Sequence, residues 1–283
     1  TPVIITLHSN NYTKEIIKNI KKHKNKAKWI VVPHGTTICD NKMVLDSHLD
    51  KDETSLNNEN FKDVDYFLHT SKRDLEESIS IGLPVEKGFV IGSPRYCEEW
   101  LQTKSNLNLD GKNVEKNNNK LKILFLTPKA HINIFHEELI RTIDFISSYS
   151  EMEITLLNYD LNYPKLPSYI KNKKNVSIYL ISQVYSTTKL IDWSDIIFHA
   201  GSSVIFESFI KDKINVFPRY LTCNTLISQK YDAGFNLANR DELRNFCNKA
   251  IISLSDLKNN YKLRFDLKNK KFINDFVYSN SKS

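Results

Sequence analysis

The sequence predicts an α/β protein made of two Rossmann-like, doubly wound domains. Short apolar runs rich in β-branched residues alternate with amphipathic stretches along both halves of the chain. This alternation is typical of parallel sheets that are covered by helices on both faces. One polar, low-complexity stretch at residues 104–120 interrupts the pattern and predicts a linker. A length of 283 residues is sufficient for two domains of ordinary size.

The first predicted domain spans residues 1–103 and contains four strands. They lie at residues 2–7, 28–33, 65–69 and 87–92. An amphipathic helix is predicted at residues 13–23. Ser71, a preferred N-cap residue, is expected to begin a second helix that Gly82 ends. The first strand follows Thr1 at once, which suggests that something upstream of it is missing and leaves open whether this domain is complete.

The second predicted domain spans residues 121–283 and follows the linker. Its strands are predicted at residues 121–128, 151–159, 175–182, 195–200 and 214–220. Helices are predicted at residues 132–149, 186–194 and 202–212, and helical segments from Asp241 onward finish the chain.

Composition narrows the class of protein. No run reaches the roughly 18 apolar residues of a membrane span, and no secretory leader is visible. The four cysteines form no C-x-x-C pair, which favours reduced thiols over a zinc site or a disulfide framework. We therefore expect a cytoplasmic protein without a metal or a cofactor. Its net charge of +7 suits an anionic nucleotide or an anionic membrane surface at the inner face of the cell membrane. A compositional bias toward Lys explains the charge equally well, and the spread of the lysines argues against nucleic acid.

Polar residues collect where the predicted strands end. In open parallel sheets, ligands bind outside the carboxyl ends of the strands. In the first half, the acceptor-side candidates are His8, Gly35, Thr36, Ser93 and Arg95. In the second half, the candidates for binding the donor nucleotide and its phosphates are Thr127, Lys129, Gly201, Ser202, Ser203, Glu207 and Arg219. For the charged members, an ordinary salt bridge is the competing interpretation.

The segment around Gly201 is the clearest phosphate candidate. Gly201 permits a tight turn, and Ser202 and Ser203 stand where a helix is expected to begin. A helix N-terminus offers unpaired N–H groups to an anion, and the serine hydroxyls add donors. Glu207 follows Ser203 by four residues, so its carboxylate could accept hydrogen bonds from a ribose diol. An ordinary serine N-cap followed by a surface glutamate remains the alternative.

Two histidines at strand ends are candidates for catalysis. His34 follows the second strand, and a neutral imidazole with a pKa of roughly 6.5 suits general base catalysis near neutral pH. His199 ends the strand that leads to Gly201. The alternative for either residue is a histidine that satisfies a loop carbonyl or a packing position.

The pattern resembles bacterial surface-polysaccharide transferases of GT-B type, and within them the CDP-glycerol glycerophosphotransferase family of teichoic-acid and capsule synthesis. His34-Gly35-Thr36 matches the family's acceptor-side H-G-T, which is thought to hold the catalytic histidine. Ser202 and Ser203 match its phosphate-binding D-Y-S-S, although His199-Ala200-Gly201 replaces the acidic-aromatic lead-in. Glu207 resembles the ribose-binding glutamate of ordinary GT-B glycosyltransferases. The resemblance implies two domains that face each other across a cleft.

The expected function is therefore transfer of a sugar or alditol phosphate from a CDP-, CMP- or UDP-linked donor to a growing surface glycan or lipid-linked acceptor. A hydrolysing sugar-nucleotide 2-epimerase shares the same plan, but its Gly-rich, doubly acidic helix start is missing. A non-catalytic nucleotide- or glycan-binding half of a larger enzyme is the third possibility.

Overall fold

The chain folds into two compact units, each of them built around a parallel sheet. The computed structural model describes residues 1–7, 11–24, 26–32, 59–106, 120–128, 134–158, 164–181 and 187–278. Within these ranges, the first unit comprises the residues up to 100 together with residues 273–278, and the second unit comprises residues 101–272.

The first unit contains a four-stranded parallel sheet with its strands in chain order. The strands are β1 (Val3–Thr6), β2 (Lys28–Val31), β3 (Tyr66–His69) and β4 (Gly88–Val90). The helices between and after them are α1 (Asn11–His23), α2 (Glu59–Lys62), α3 (Lys72–Ser80) and α4 (Glu98–Asn106), the last of which continues into the second unit. Ile17 of α1 packs on Trp29 and Phe67 of the sheet and forms the centre of this core. All four strands predicted in this half are confirmed.

Asp65 links the starts of β2 and β3 in the first unit. Its carboxylate accepts hydrogen bonds from the Trp29 amide at 2.8 Å and from the ammonium groups of Lys21 and Lys28 at 3.0 Å each. Burial raises the pKa of Asp65, but these hydrogen bonds outweigh that effect and lower the pKa to about 2. The start of β3 is thereby held against the start of β2.

Local signals correctly predict the ends of α3. The Ser71 hydroxyl accepts a hydrogen bond from the Asp74 amide at 3.1 Å, which is the expected N-cap. Gly82 follows the helix with φ of 105°, a conformation that residues with a Cβ rarely adopt.

The second unit contains a six-stranded parallel sheet in the order β10-β9-β8-β5-β6-β7. The strands are β5 (Leu121–Leu126), β6 (Met152–Asn158), β7 (Val176–Leu180), β8 (Ile196–His199), β9 (Ile214–Pro218) and β10 (Phe235–Leu237). The chain first builds the sheet outward from β5 on one side and then returns to build from β8 on the other. This strand order is the doubly wound arrangement, and its topological switch point lies between β5 and β8. The predicted α/β class with parallel sheets is confirmed. The described strands of the first unit follow chain order, so the doubly wound arrangement predicted for both halves is found only in the second unit. The strand β10 was not predicted.

Helices cover both faces of this sheet. They are α5 (His136–Ile146), α6 (Ser168–Lys171), α7 (Thr187–Trp193), α8 (Ile205–Ile210), α9 (Ile227–Lys230), α10 (Arg240–Ile252) and α11 (Leu254–Ile273). Every residue of β5 is buried, because alternate side chains enter the two separate cores. Phe125 stacks on Phe198 in one of them at 5.7 Å between ring centroids. Among the described residues, no helix is both long and apolar enough to cross a membrane.

The end of the described chain packs within the first unit and not, as predicted, within the second. A π-helical turn at Asn274–Tyr278 buries Phe276 and Val277. The Ser93 amide donates to the Val277 carbonyl at 2.7 Å. Gly92 has φ of 77°, and a Cβ at this position would lie 2.8 Å from the same oxygen. The domain boundaries drawn from sequence miss this return, because local patterns carry no information on contacts between distant segments.

We expect Asp65→Asn to lower the free energy of unfolding by roughly 1–3 kcal/mol near neutral pH, since it removes charge-assisted hydrogen bonds. The pKa of Asp65 is lowered from 3.8 to about 2 in the folded chain. The carboxylate therefore stabilises the fold above pH 3.8, and this contribution is lost as the pH falls toward 2. Urea unfolding across that pH range measures the effect.

Asp63→Asn is the matched control. Asp63 lies 3.5 Å from the exposed Lys18 ammonium, and such a surface pair contributes little. A constant difference between wild type and Asp65→Asn down to pH 2 would contradict the assignment.

Candidate functional site

The switch point of the second unit brings two of the predicted donor-side segments together. Leu126 at the end of β5 pairs with His199 at the end of β8, so Thr127 and Ala200 leave the sheet side by side. The Thr127 hydroxyl lies 2.9 Å from the Leu157 carbonyl and 3.0 Å from the Asn158 side-chain oxygen, and it donates its proton to one of them. Thr127 therefore ties the ends of β5 and β6 together at this edge.

A tight turn follows β8, as the sequence predicts. Gly201 has φ of 108°. The Ser202 hydroxyl accepts from the Val204 amide at 3.3 Å, and the Ser202 carbonyl accepts from the Ile205 amide at 3.2 Å. The helix α8 begins at Ile205, later than the predicted residue 202, so Ser202 and Ser203 form the turn that leads into it. Both serines are half-buried at the strand end.

Glu207 is buried and not at the surface. It is 3% exposed, on the first turn of α8. Its Oε2 lies 3.4 Å from the Lys104 ammonium, and its Oε1 is buried without a hydrogen-bond partner. The alternative of a surface glutamate is therefore excluded. A buried carboxylate oxygen without a donor is costly unless a ligand supplies one.

His199 is the last residue of β8 and is 1% exposed. Its side chain packs against β9. Its ring stacks on Phe217 at 5.4 Å between centroids, and its Nε2 lies 2.7 Å from the Asn215 side-chain oxygen. The Asn215 amide nitrogen donates to the Lys213 carbonyl, so the oxygen faces His199 and Nε2 carries the proton. Burial lowers the pKa of His199 to about 4, and the hydrogen bond to Asn215 offsets this only in part.

This placement corrects the expectation that His199 stands among the reacting groups. Both faces of β8 are covered, so a side chain on that strand enters a core and does not reach the edge of the sheet. A neutral, enclosed imidazole cannot exchange a proton with a substrate at the edge. The position favours a structural role in which His199 fixes the ends of β8 and β9 below the Gly201 turn.

A cleft of about 330 Å³ lies after β9, the strand that pairs with β8. It is lined by the exposed Arg219, by Tyr220 and by residues of the following loop. The Tyr220 hydroxyl lies 3.0 Å from the Thr142 hydroxyl, and burial raises the pKa of Tyr220 to about 12. Tyr220 thus lines the cleft as a neutral side chain, and Arg219 adds a positive charge to the lining of the cleft.

In the first unit, the acceptor-side candidates separate into two kinds. Ser93 is buried and uses its backbone to bind Val277 and Tyr96. Arg95 is exposed, with its guanidinium 5.6 Å from the centre of the Tyr96 ring. The other candidates of the first half lie outside the described residues and stay predictions from the sequence. They are His8, His34, Gly35 and Thr36. The same holds for Lys129, a donor-side candidate of the second half.

Two features near these edges were not assigned from the sequence. Lys104 was placed in the linker, but it lies on α4 and pairs with Glu207. At the end of β3, His69 is buried, and burial lowers its pKa against a smaller opposing effect of Asp74. The Thr70 hydroxyl donates to the same Asp74 carboxylate. Only the strand-end position of His69 and Thr70 is visible in the sequence.

We expect the stability of the wild-type chain to fall by on the order of 2–3 kcal/mol as the pH drops from 6.5 to 4, because unfolded His199 binds a proton that the folded chain excludes. In His199→Gln, which keeps a donor for Asn215, this dependence should decrease, and the part that remains comes from groups such as His69, whose pKa burial also lowers. Urea unfolding across the same range measures it. His23→Gln, at an exposed position on α1, should keep the wild-type slope. An unchanged slope in His199→Gln would contradict the burial of the neutral ring.

No protein-family model and no curated protein sequence matches the chain. Solved structures do match it. A co-structure of S. aureus MnaA with UDP has a TM-score of 0.62 at 13% identity, covering 96% of this chain and 72% of that one. A putative UDP-N-acetylglucosamine 2-epimerase from Listeria monocytogenes has a TM-score of 0.59 at 12% identity, covering 98% and 70%.

The wall teichoic acid polymerase TagF, soaked with CDPG, has a TM-score of 0.56 at 18% identity, covering 90% of this chain and 64% of TagF. Identities this low show the fold alone. The chain shares the α/β fold of these structures, so the predicted likeness to GT-B transferases is confirmed at the level of the fold.

Proposed function

We propose that this protein is a transferase that moves a sugar or an alditol phosphate from a CDP-, CMP- or UDP-linked donor to a hydroxyl of a growing surface glycan. The observation that carries the proposal is Glu207, a buried carboxylate with an unpartnered oxygen, one turn after the switch point of a doubly wound sheet. A ribose diol supplies the donors that this oxygen lacks.

In this proposal, the second unit binds the donor. The hydroxyls of Ser202 and Ser203 and the amides of their turn donate to the phosphates. Because α8 has only six residues, we assign most of the charge compensation to Arg219 and Lys129 and little to the helix dipole. The arrangement requires neither a metal nor a cofactor.

The proposed reaction is a displacement at the donor. The neutral imidazole of His34 takes the proton of the acceptor hydroxyl, and the oxygen attacks the sugar carbon or the phosphorus. The bond to the nucleotide phosphate breaks, and the electron pair leaves with the nucleotide. A lipid-linked glycan acceptor would place the reaction at the inner face of the cell membrane, where the net charge of +7 suits peripheral contact with anionic lipids.

Structural similarity also favours a second candidate, a hydrolysing sugar-nucleotide 2-epimerase, because one of the matched structures carries that description. We rank it second. Its Gly-rich, doubly acidic helix start is replaced here by two serines and the single Glu207. An epimerase would release the nucleotide without any acceptor, whereas a non-catalytic binding half would bind nucleotide and release nothing.

Isothermal titration with CDP, CMP, UDP and GDP tests the donor site. We expect at least one of these nucleotides to bind, and Ser202→Ala combined with Ser203→Ala to weaken that binding by roughly 10- to 100-fold, since a hydrogen bond to a charged group contributes about 1.5–3 kcal/mol. Ser148→Ala with Ser150→Ala, at exposed positions of the same unit, should leave binding unchanged. If the wild-type chain binds none of the four, the transferase proposal is wrong.

For His34→Ala, we expect nucleotide affinity to stay within about twofold of wild type while turnover of the donor falls by roughly 100-fold or more, because general base catalysis contributes about that much. Titration and nucleotide release in the presence of a membrane fraction give the two values. His23→Ala, on α1, serves as the control. Weakened nucleotide binding in His34→Ala would instead assign this residue to the donor.

A further inference from the structure

Lys104 and Glu207 form a buried ion pair within the second unit. The Lys104 side chain is 23% exposed and that of Glu207 only 4%. For comparison, Lys258 and Asp195 of the same unit form a pair in which the lysine is half exposed. Placing two charged groups in a core has a desolvation cost that their attraction offsets only when the remaining hydrogen-bonding atoms are satisfied.

The remaining atom of Glu207 is not satisfied. Lys104 approaches Oε2 at 3.4 Å, while Oε1 is buried and has no hydrogen-bond partner. Among the described residues, Lys104 is the cation that pairs with this carboxylate. It occupies one oxygen of Glu207 and leaves the other as an acceptor.

We propose that Lys104 is a positioning residue for nucleotide recognition, which holds Glu207 so that Oε1 accepts hydrogen bonds from the 2′- and 3′-hydroxyls of a ribose. This inference rests on the proposed function and adds to it the origin of a preference for ribonucleotides. Oε1 is buried, so the residues that cover it must move before a ribose can bind. Lys104 does not contact the ligand in this arrangement and acts only through Glu207.

A purely structural ion pair makes a different prediction. Its loss would loosen the packing of α4 and α8 and weaken the binding of all nucleotides alike. A positioning role makes the loss specific for ligands that carry the ribose hydroxyls. The ratio of affinities for a ribonucleotide and its 2′,3′-dideoxy counterpart separates the two, because a folding defect cancels from the ratio.

The experiment is calorimetric titration of the full chain with CDP and UDP and with their 2′,3′-dideoxy forms. We expect wild type to prefer the ribonucleotide by roughly 10- to 100-fold, as for hydrogen bonds to a charged group. Lys104→Met and Glu207→Gln should each reduce this preference to within about threefold of unity. Lys104→Arg, which keeps the charge, should restore most of it, and Lys258→Met, which removes a charge elsewhere in the unit, should leave it intact.

The outcomes are distinguishable. An intact preference in Lys104→Met, with both nucleotides weakened equally, overturns the positioning role and leaves the proposed function standing. Tight binding of nucleotides by wild type without a ribose preference overturns the role of Glu207 and with it that of Lys104. Failure of wild type to bind any nucleotide overturns this inference together with the proposed function.

Discussion

The pairing of β5 with β6 on one side and with β8 on the other is the constraint on which the candidate site depends. Because all the strands are parallel, their carboxyl ends lie along one edge of the sheet. In a doubly wound sheet, the connections that follow the two strands at the switch point lead to opposite faces, and ligands bind there. Thr127 and Gly201 follow the ends of these two paired strands although they are far apart in the sequence. The site is thus a consequence of topology before it is a consequence of side-chain chemistry.

Because both faces of the sheet are covered, polar side chains near this edge can be buried in a core. His199 lies inside the protein, where burial lowers its pKa and Asn215 and Phe217 orient its ring. Glu207 is also enclosed, and Lys104 is its charged partner. Each of the two side chains has one buried atom without a hydrogen-bond partner, Nδ1 of His199 and Oε1 of Glu207. The difference lies in charge, because the carboxylate of Glu207 is the stronger acceptor for the hydroxyls of a ligand, whereas the neutral ring of His199 packs against its own sheet.

The sequence predicts the fold well where a signal is local. Among the described residues, nine of the ten strands follow from runs of β-branched and apolar residues, and Ser71 and Gly82 mark the ends of α3 through capping preferences alone. The exception is β10, which has only three residues and follows Gly234, at φ of 74°. The site is less predictable. A histidine at the end of a strand looks the same in sequence whether it faces the edge or a core, and Lys104 begins a stretch whose composition is that of a linker.

The return of residues 273–278 to the first unit has a consequence for biosynthesis. Within the described residues, the second unit is formed by residues 101–272 alone. The first unit is different, because the Ser93 amide donates to the carbonyl of Val277, and the turn that carries the buried Phe276 contacts α3. At about 5–20 residues per second, the ribosome completes that acceptor many seconds after β4 has emerged. The unit whose first residues are translated first therefore cannot complete its native packing until residues 273–278 have been made.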